Sequence, residues 1–402
     1  MPDVSTYYRL AFKLREIPAL HRPLKWLRKL FWVELPAKWY GVLRALAPSK
    51  NFRLGPPVRT FTIFGSWAMD GIRPGRVVLT DQGAPKAGDD SILVKCGLNQ
   101  HSVQPWPVFW SRHSQARLVS SSLALMDAQK RICWESVYGD HGLTGDPAWS
   151  YVRLPQPTKL AGNWTSVVSR WCPSTMVAPY SHWILDALPR LALLSDFPPD
   201  TGILVPGRLA GYQKESLRLL GLLDRCRCTP ETHLLVENYY FSSPTAMISC
   251  HNPYGVGALR SAFMPKADTS YHGPKRFVIA RRGKTRGIVN ETEVYDYFRS
   301  IGWDIIDTEK LTFAQEIQLF AEAEAYAGVL GSGFTNAVWS SPGCKAITFV
   351  ADNWVDGWVD WICQVNRLDY LWQLFPADAA MMATVDLDSI RKLLARAGLS
   401  PR

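Results

Sequence analysis

The sequence predicts an α/β fold, a parallel sheet covered by helices on both faces. Three observations predict it. The last third of the 402-residue chain alternates short apolar strands with amphipathic helices. Two helix starts there have capping-box spacing, Asn290 with Glu293 and Thr312 with Gln315. One strand ends in Gly331-Ser332-Gly333 and runs on into a short helix.

The length allows two domains, each with its own core. Apolar residues at 47% and charged residues at 20% exclude a disordered chain. The eight cysteines show no CxxC pair and no zinc spacing, so they read as free thiols in a reducing compartment. The expected location is cytoplasmic, peripheral to the inner face of a membrane.

Residues 1–55 read as a basic amphipathic segment. Residues 1–50 carry a net +7 of the chain's +10. Between Pro23 and Pro36, Leu24, Leu27, Leu30 and Phe31 recur at helical spacing with Lys25, Arg28 and Lys29 among them. Trp26, Trp32 and Trp39 add interfacial aromatics. Such a segment suits an anionic membrane surface, at about 1 kcal/mol per basic residue. The alternative is a basic helix packed on the body of the protein. No nucleic-acid motif accompanies the charge.

Residues 56–268 read as the first domain, with strands at Phe61–Phe64, Val77–Leu79, Ile92–Lys95, Arg117–Ser120 and Arg131–Trp134. A helix follows at Ser181–Leu194, a strand at Gly202–Val205, a helix at Gln213–Leu222 and a strand at Leu234–Phe241. The stretch Tyr254–Pro274, with Pro265, Gly273 and Pro274, reads as an interdomain linker. Residues 275–402 read as the second domain. Its strands are Arg276–Ala280, Trp303–Asp307, Tyr326–Leu330 and Lys345–Val350, and its helices are Asn290–Ile301, Thr312–Ala325, a short piece to Ser341, Asp356–Asn366 and Asp386–Ala397. In such a sheet ligands bind at the carboxyl ends of the strands.

Three segments in order carry a resemblance. The first is Tyr180-Ser-His-Trp-Ile-Leu-Asp-Ala-Leu-Pro-Arg-Leu191. The second is Arg276-Phe-Val-Ile-Ala-Arg-Arg282, continuing through Arg286 to Asn290-Glu291. The third runs from Leu311 through Gln318-Leu-Phe320 to Gly328-Val-Leu-Gly-Ser-Gly-Phe-Thr-Asn336 and closes at Pro342-Gly343. Together they resemble the family 61 glycosyltransferases, the group that includes capsular-polysaccharide-type enzymes. The resemblance implies a GT-B-like architecture of two Rossmann-like domains facing a cleft. It implies a nucleotide-sugar donor held by the second domain, an inverting mechanism without bound metal, no further cofactor, and a glycan or glycolipid acceptor. The chain departs from the family block at Leu330, where the family has His, and at Ser332, where it has Ala.

Inverting sugar transfer needs a base for the acceptor hydroxyl and positive charge for the departing diphosphate. His182 and Asp186, four apart, share one helix face. Either is the base, or Asp186 orients His182; the bland alternative is a capped helix start. Arg281, Arg282 and Arg286 follow a strand end and offer bidentate donors for phosphate oxygens, against the alternative of a basic surface loop. Gly331, Ser332 and Gly333 let a phosphate approach the backbone, and Thr335 and Asn336 continue that donor-binding block. Glu291 is a candidate for the ribose, unless the Asn290 and Glu293 cap explains the polar cluster. Asp386-Leu-Asp388 reads as a helix start and not a metal site. Trp354, Trp358 and Trp361 read as core packing. The competing function is a catalytically silent nucleotide-sugar or glycan binding protein on the same fold, prompted by Leu330. A third reading is a scaffold anchored by residues 1–50.

Overall fold

In the computed structural model of the chain, the described residues are 108–127, 131–137, 154, 156–247, 250–281 and 285–399, with the short pieces 60–61, 73–78, 92 and 148. The basic segment expected over residues 1–55 lies outside them, as does Arg282. The described chain is a mixed α/β structure with two large sheets. No described helix is long and apolar enough to cross a membrane.

The first sheet is built from β1 (Thr60–Phe61), β2 (Arg73–Val78), β3 (Val108–Val119), β4 (Ala124–Met126), β5 (Ile132–Cys133), β6 (Thr158–Ser166), β7 (Gly202–Pro206), β8 (Cys226–Thr229) and β9 (His233–Ser242). Its order is β1-β5-β4-β3-β9-β6-β7-β8, with β2 on β3. One half, β9-β6-β7-β8, is parallel. The other half is antiparallel from β5 through β4 and β3 to β9. The wholly Rossmann-like first domain expected from the sequence is corrected to this mixed sheet. The cause is connection length. A tight turn from Ser120 to Leu123 joins β3 to β4, and such a turn permits only antiparallel pairing. Helical crossovers join β6 to β7 and β7 to β8, the latter through α1 (Gly211–Leu219).

A two-stranded pair, β10 (Ala246–Met247) and β11 (Cys250–His251), precedes α2 (Pro253–Phe263). This helix corrects the linker expected at Tyr254–Pro274. Asn252 caps it, accepting from the Tyr254 N–H at 2.8 Å, and Pro253 occupies the first turn, where its missing N–H costs nothing. Val256, Leu259 and Phe263 face the core, and the Phe263 ring meets Phe313 at 5.3 Å and Trp339 at 5.7 Å. The prolines and glycines downstream hid a helix whose apolar spacing is plain.

The second sheet holds β12 (Arg276–Ile279), β13 (Asp304–Ile306), β14 (Ala325–Val329), β15 (Lys345–Ala351) and β16 (Asp369–Phe375), all parallel, in the order β13-β12-β14-β15-β16. The expected parallel sheet is therefore present. α3 (Glu291–Ser300) and α6 (Leu387–Arg396) cover one face through Val294, Phe298, Ile390 and Leu393. α4 (Phe313–Ala321) and α5 (Trp358–Asn366) cover the other through Phe313, Ile317, Phe320, Val359 and Ile362. Each such fully buried side chain is worth roughly 1.5–3 kcal/mol of transfer free energy. The α4 layer is continuous with Trp183, Leu188, Val205 and Leu217 of the first half, so one apolar cluster joins both sheets.

The two capping boxes fare differently. Thr312 and Gln315 exchange both bonds, at 3.2 and 3.1 Å. Asn290 does not cap α3. Its amide bonds the carbonyl and N–H of Val385, at 2.8 and 3.0 Å, and the Glu293 carboxylate at 2.8 Å. It pins the segment before α6 to the start of α3.

Candidate active site

The order β13-β12-β14 reverses direction at β12, because β13 lies on one side of it and β14 on the other. A crevice opens at the carboxyl ends of strands flanking such a switch point. Arg281 follows β12 and Gly331 follows β14, and the two are in contact. A Cβ at Gly331 would collide with the Arg281 guanidinium. Glycine is required there for close approach and not for conformation, since its φ of 176° is extended. A Cβ at Gly333 would stand 2.8 Å from Cγ2 of Ile279 in β12, so this turn is packed tightly against the neighbouring strand.

Arg281 is half-buried and has no salt-bridge partner among the described residues, and its Nε has no hydrogen-bond partner there. Burial, foremost, and then the charge of Arg286 push its pKa down, with Glu309 opposing. Arg286 holds a left-handed φ of 55°, and its guanidinium lies 4.8 Å over the Trp354 ring just past β15. Both arginines follow β12, and Arg281 lies between that strand end and the turn after β14, a basic surface suited to an anion. Ser332 is exposed beside them. Glu291 opens α3 with one carboxylate oxygen buried and unpartnered among the described residues.

Thr335 and Asn336 do not join this group. Both are fully buried in the 3-10 stretch Ser332–Val338. The direct donor contact expected of Asn336 is replaced by protein partners: its amide bonds Glu316 and accepts from Tyr180 and Trp339. The far end of the stretch is also held, by Arg260 Nη1 on the carbonyls of Val338 and Ser340 and by Asn366 on those of Ala337 and Val338. Leu330 is wholly buried in the core, so the side chain where the family has His does not reach the crevice.

His182 and Asp186 are brought together: Nδ1 and Oδ2 lie 2.6 Å apart. The helix expected at Ser181–Leu194 carries them, with a change of pitch. An α turn, Tyr180–His182, runs into a π turn, Trp183–Ala187, and then a 3-10 stretch, Leu188–Asp196. Pro189 supplies the reason. It has no N–H for the Leu185 carbonyl, so the α ladder cannot continue through it. The π turn sets Asp186 at the Nδ1 edge of the imidazole, and Trp171 stacks on a face of the ring at 4.9 Å and 12°. With Asp186 accepting at Nδ1, the Nε2 atom is the one that carries the lone pair in the neutral ring.

Behind this pair lies a small pocket lined by Glu135, Ser169, Trp171, Asp186, Arg190 and Thr245 among others. Arg190 is buried and donates to the carbonyls of Val168 and Ser242, at 3.1 and 2.7 Å. His251 is buried nearby. Desolvation, above all, pushes it down, and His182 adds to that against the opposite pull of Asp186. The turn Tyr180–His182 packs on the stretch Ser332–Val338.

Sequence reasoning passed over Trp171, Arg190, His251 and Glu316. Glu316 carries a readable signal, because it falls on the apolar stripe of α4 formed by Phe313, Ile317 and Phe320. His251 and Trp171 carry none, since only the fold brings them to His182. Asp386 caps α6 through the Ser389 N–H at 2.8 Å, and Asp388 pairs with Arg391. Of the three tryptophans near α5, Trp361 is core and donates to the His251 carbonyl, whereas Trp354 supports Arg286.

A doubly wound α/β sheet with arginines that have no ion-pair partner among the described residues at its switch point is built like the enzymes that hold anionic, phosphate-bearing ligands there. Residues 180–347 match the glycosyltransferase 61 family. They form a glycosyltransferase family 61 domain, and the protein is a glycosyltransferase. No curated protein matches the chain.

Proposed function

We propose that the protein moves a sugar from a nucleotide-sugar donor to a glycan or glycolipid acceptor, with inversion, in surface polysaccharide biosynthesis. The observation that carries the reading is the packing of the Tyr180–His182 turn on the stretch that follows Gly331. It brings the turn that carries His182 onto the stretch following Gly331, the residue against which Arg281 rests. In this reading His182 Nε2 takes the proton of the acceptor hydroxyl and Asp186 stabilises the imidazolium that forms. Arg281 and Arg286 receive the departing diphosphate, so the chemistry needs no metal and no further cofactor. Ser332 and the backbone of Gly331 and Gly333 contact the donor, with Glu291 as the ribose partner and Arg282 as a further cation. In this reading the two sheets are the two halves of a GT-B-like arrangement. Residues 1–55 dock the enzyme on the anionic inner face of a membrane.

The test is thermal stabilisation by a panel of UDP-, GDP- and CMP-linked sugars and the free nucleotides, for wild type and Arg281→Ala. A shift with one donor class, lost in the variant, is the expected outcome, followed by metal-free turnover of that donor. Turnover abolished by chelator and restored by manganese would overturn the metal-free mechanism.

A further inference from the structure

Four side chains from both halves of the molecule meet beneath the site. Tyr180 opens the turn that carries His182, Glu316 lies in α4, Asn336 belongs to the 3-10 stretch after Gly331, and Trp339 follows it. The Tyr180 hydroxyl oxygen lies 2.7 Å from Glu316 Oε2 and 2.7 Å from Asn336 Oδ1. Asn336 Nδ2 donates to Glu316 Oε2 at 2.7 Å, and Trp339 Nε1 donates to Asn336 Oδ1 at 3.0 Å.

Proton counting decides the state of this cluster. An indole N–H only donates, so Trp339 fixes Asn336 with Oδ1 toward Trp339 and Tyr180 and its nitrogen toward Glu316. Tyr180 then has one proton for two oxygen neighbours, both at full O–H···O bonding distance. With Glu316 ionised, one of the two contacts sets lone pair against lone pair. With a proton on Glu316 Oε2, the acid donates to Tyr180, Tyr180 donates to Asn336, and each short contact has its own proton. Burial, the largest influence, and the hydrogen-bonded Glu316 push the Tyr180 phenol well above its ordinary range, so it does not ionise instead.

We propose that Glu316 is a positioning residue that holds its proton as a neutral acid, and that this proton locks the His182 turn to the loop beginning at Gly331. The role in turnover rests on the reading of those two segments as base side and donor side. Burial raises the Glu316 carboxyl to about 7, against the hydrogen bonds of Tyr180 and Asn336, while Glu215 on α1 and Glu309 after β13 also oppose its ionisation. Both charged neighbours acting on it are carboxylates. The direction of the pH effect follows. An acid with a raised folded pKa contributes stability that is complete below the ordinary carboxylate range and is lost as pH rises through about 7. Above it, Tyr180 turns its proton to the carboxylate, the Asn336 contact becomes repulsive, and the two segments loosen.

The experiment compares wild type with Glu316→Gln, which does not titrate, from about pH 5 to about pH 8. Melting of the free protein and hydrolysis of the nucleotide sugar chosen from the UDP-, GDP- and CMP-linked panel are both followed. Wild type should lose melting temperature relative to the variant as pH rises, and the descending limb of its turnover profile should be missing in the variant. A melting difference that is flat with pH would overturn the proton assignment. A descending limb that persists in the variant would overturn the positioning role. Should Glu316→Gln fail to fold, the infrared band of a protonated carboxylic acid in wild type, present at the acid end and moved in Tyr180→Phe, reports the same proton; its absence overturns the proposal. Melting and infrared need no substrate, so they are independent of the base-and-donor reading, whose own failure would appear as turnover indifferent to His182→Ala.

Discussion

The Arg281 guanidinium rests against the bare Cα of Gly331, so that the basic side chain after β12 and the small-residue turn after β14 form one surface. The extended backbone of Gly331 would accept any residue, so a substitution acts only through Arg281. Gly331→Ala should leave melting of the free protein near wild type while displacing the guanidinium. Loss of a charge-assisted contact worth about 1.5–3 kcal/mol weakens donor binding roughly 10- to 100-fold. Titration with the stabilising nucleotide sugar checks it, and unchanged affinity would remove Arg281 from the donor site.

His182 and Asp186, 2.6 Å apart, act as a unit in the proposed chemistry. His182→Ala should lower kcat by roughly 10²- to 10⁴-fold with little change in donor KM. Asp186→Asn keeps the size of the side chain and loses its charge, and it should lower kcat. Equal losses in donor binding from both substitutions would instead mark the pair as structural.

Leu330 is fully buried, although it stands where the family has a histidine. Restoring that residue by Leu330→His should not raise turnover. It should destabilise by about 1–3 kcal/mol, because an imidazole enters an apolar cluster without a partner. A scan of melting temperature with parallel turnover decides it. A gain in activity at unchanged stability would show that the position reaches the crevice.

Arg190 ties the helical stretch after Asp186 to the ends of β6 and β9 by donating to the Val168 and Ser242 carbonyls. Arg190→Met preserves the apolar stem and strands both acceptors. The expected cost is about 2–5 kcal/mol, read as a lower denaturant midpoint, with loss of turnover following from displacement of Asp186. Wild-type stability in the variant would mean that water replaces the guanidinium.

Much of the second sheet was legible because its signals are local. Apolar runs, the Thr312 and Gln315 box and the turn at Gly331 each lie within a few residues of the element they specify. The Asn290 box failed because Val385, distant in sequence, competes for the same amide. β3 was read only at its last few residues, since Arg112, Ser114 and Gln115 break its apolar pattern; pairing with β9 makes it a strand. α2 was masked by the prolines and glycines after it.

The sequence by itself determined the α/β class, the parallel second sheet, the family resemblance of residues 180–347, and the placing of His182 and Asp186 on one helical turn. These depend on spacing along one element or on order along the chain. The tertiary structure alone decided which marked residues face a ligand. Arg281 meets Gly331 because β12 and β14 are neighbours across the switch point. Asn336 turns inward because Glu316, Tyr180 and Trp339, from three separate segments, saturate its amide. A buried polar group goes where its hydrogen bonds can be completed, and for these residues the partners lie far away in sequence.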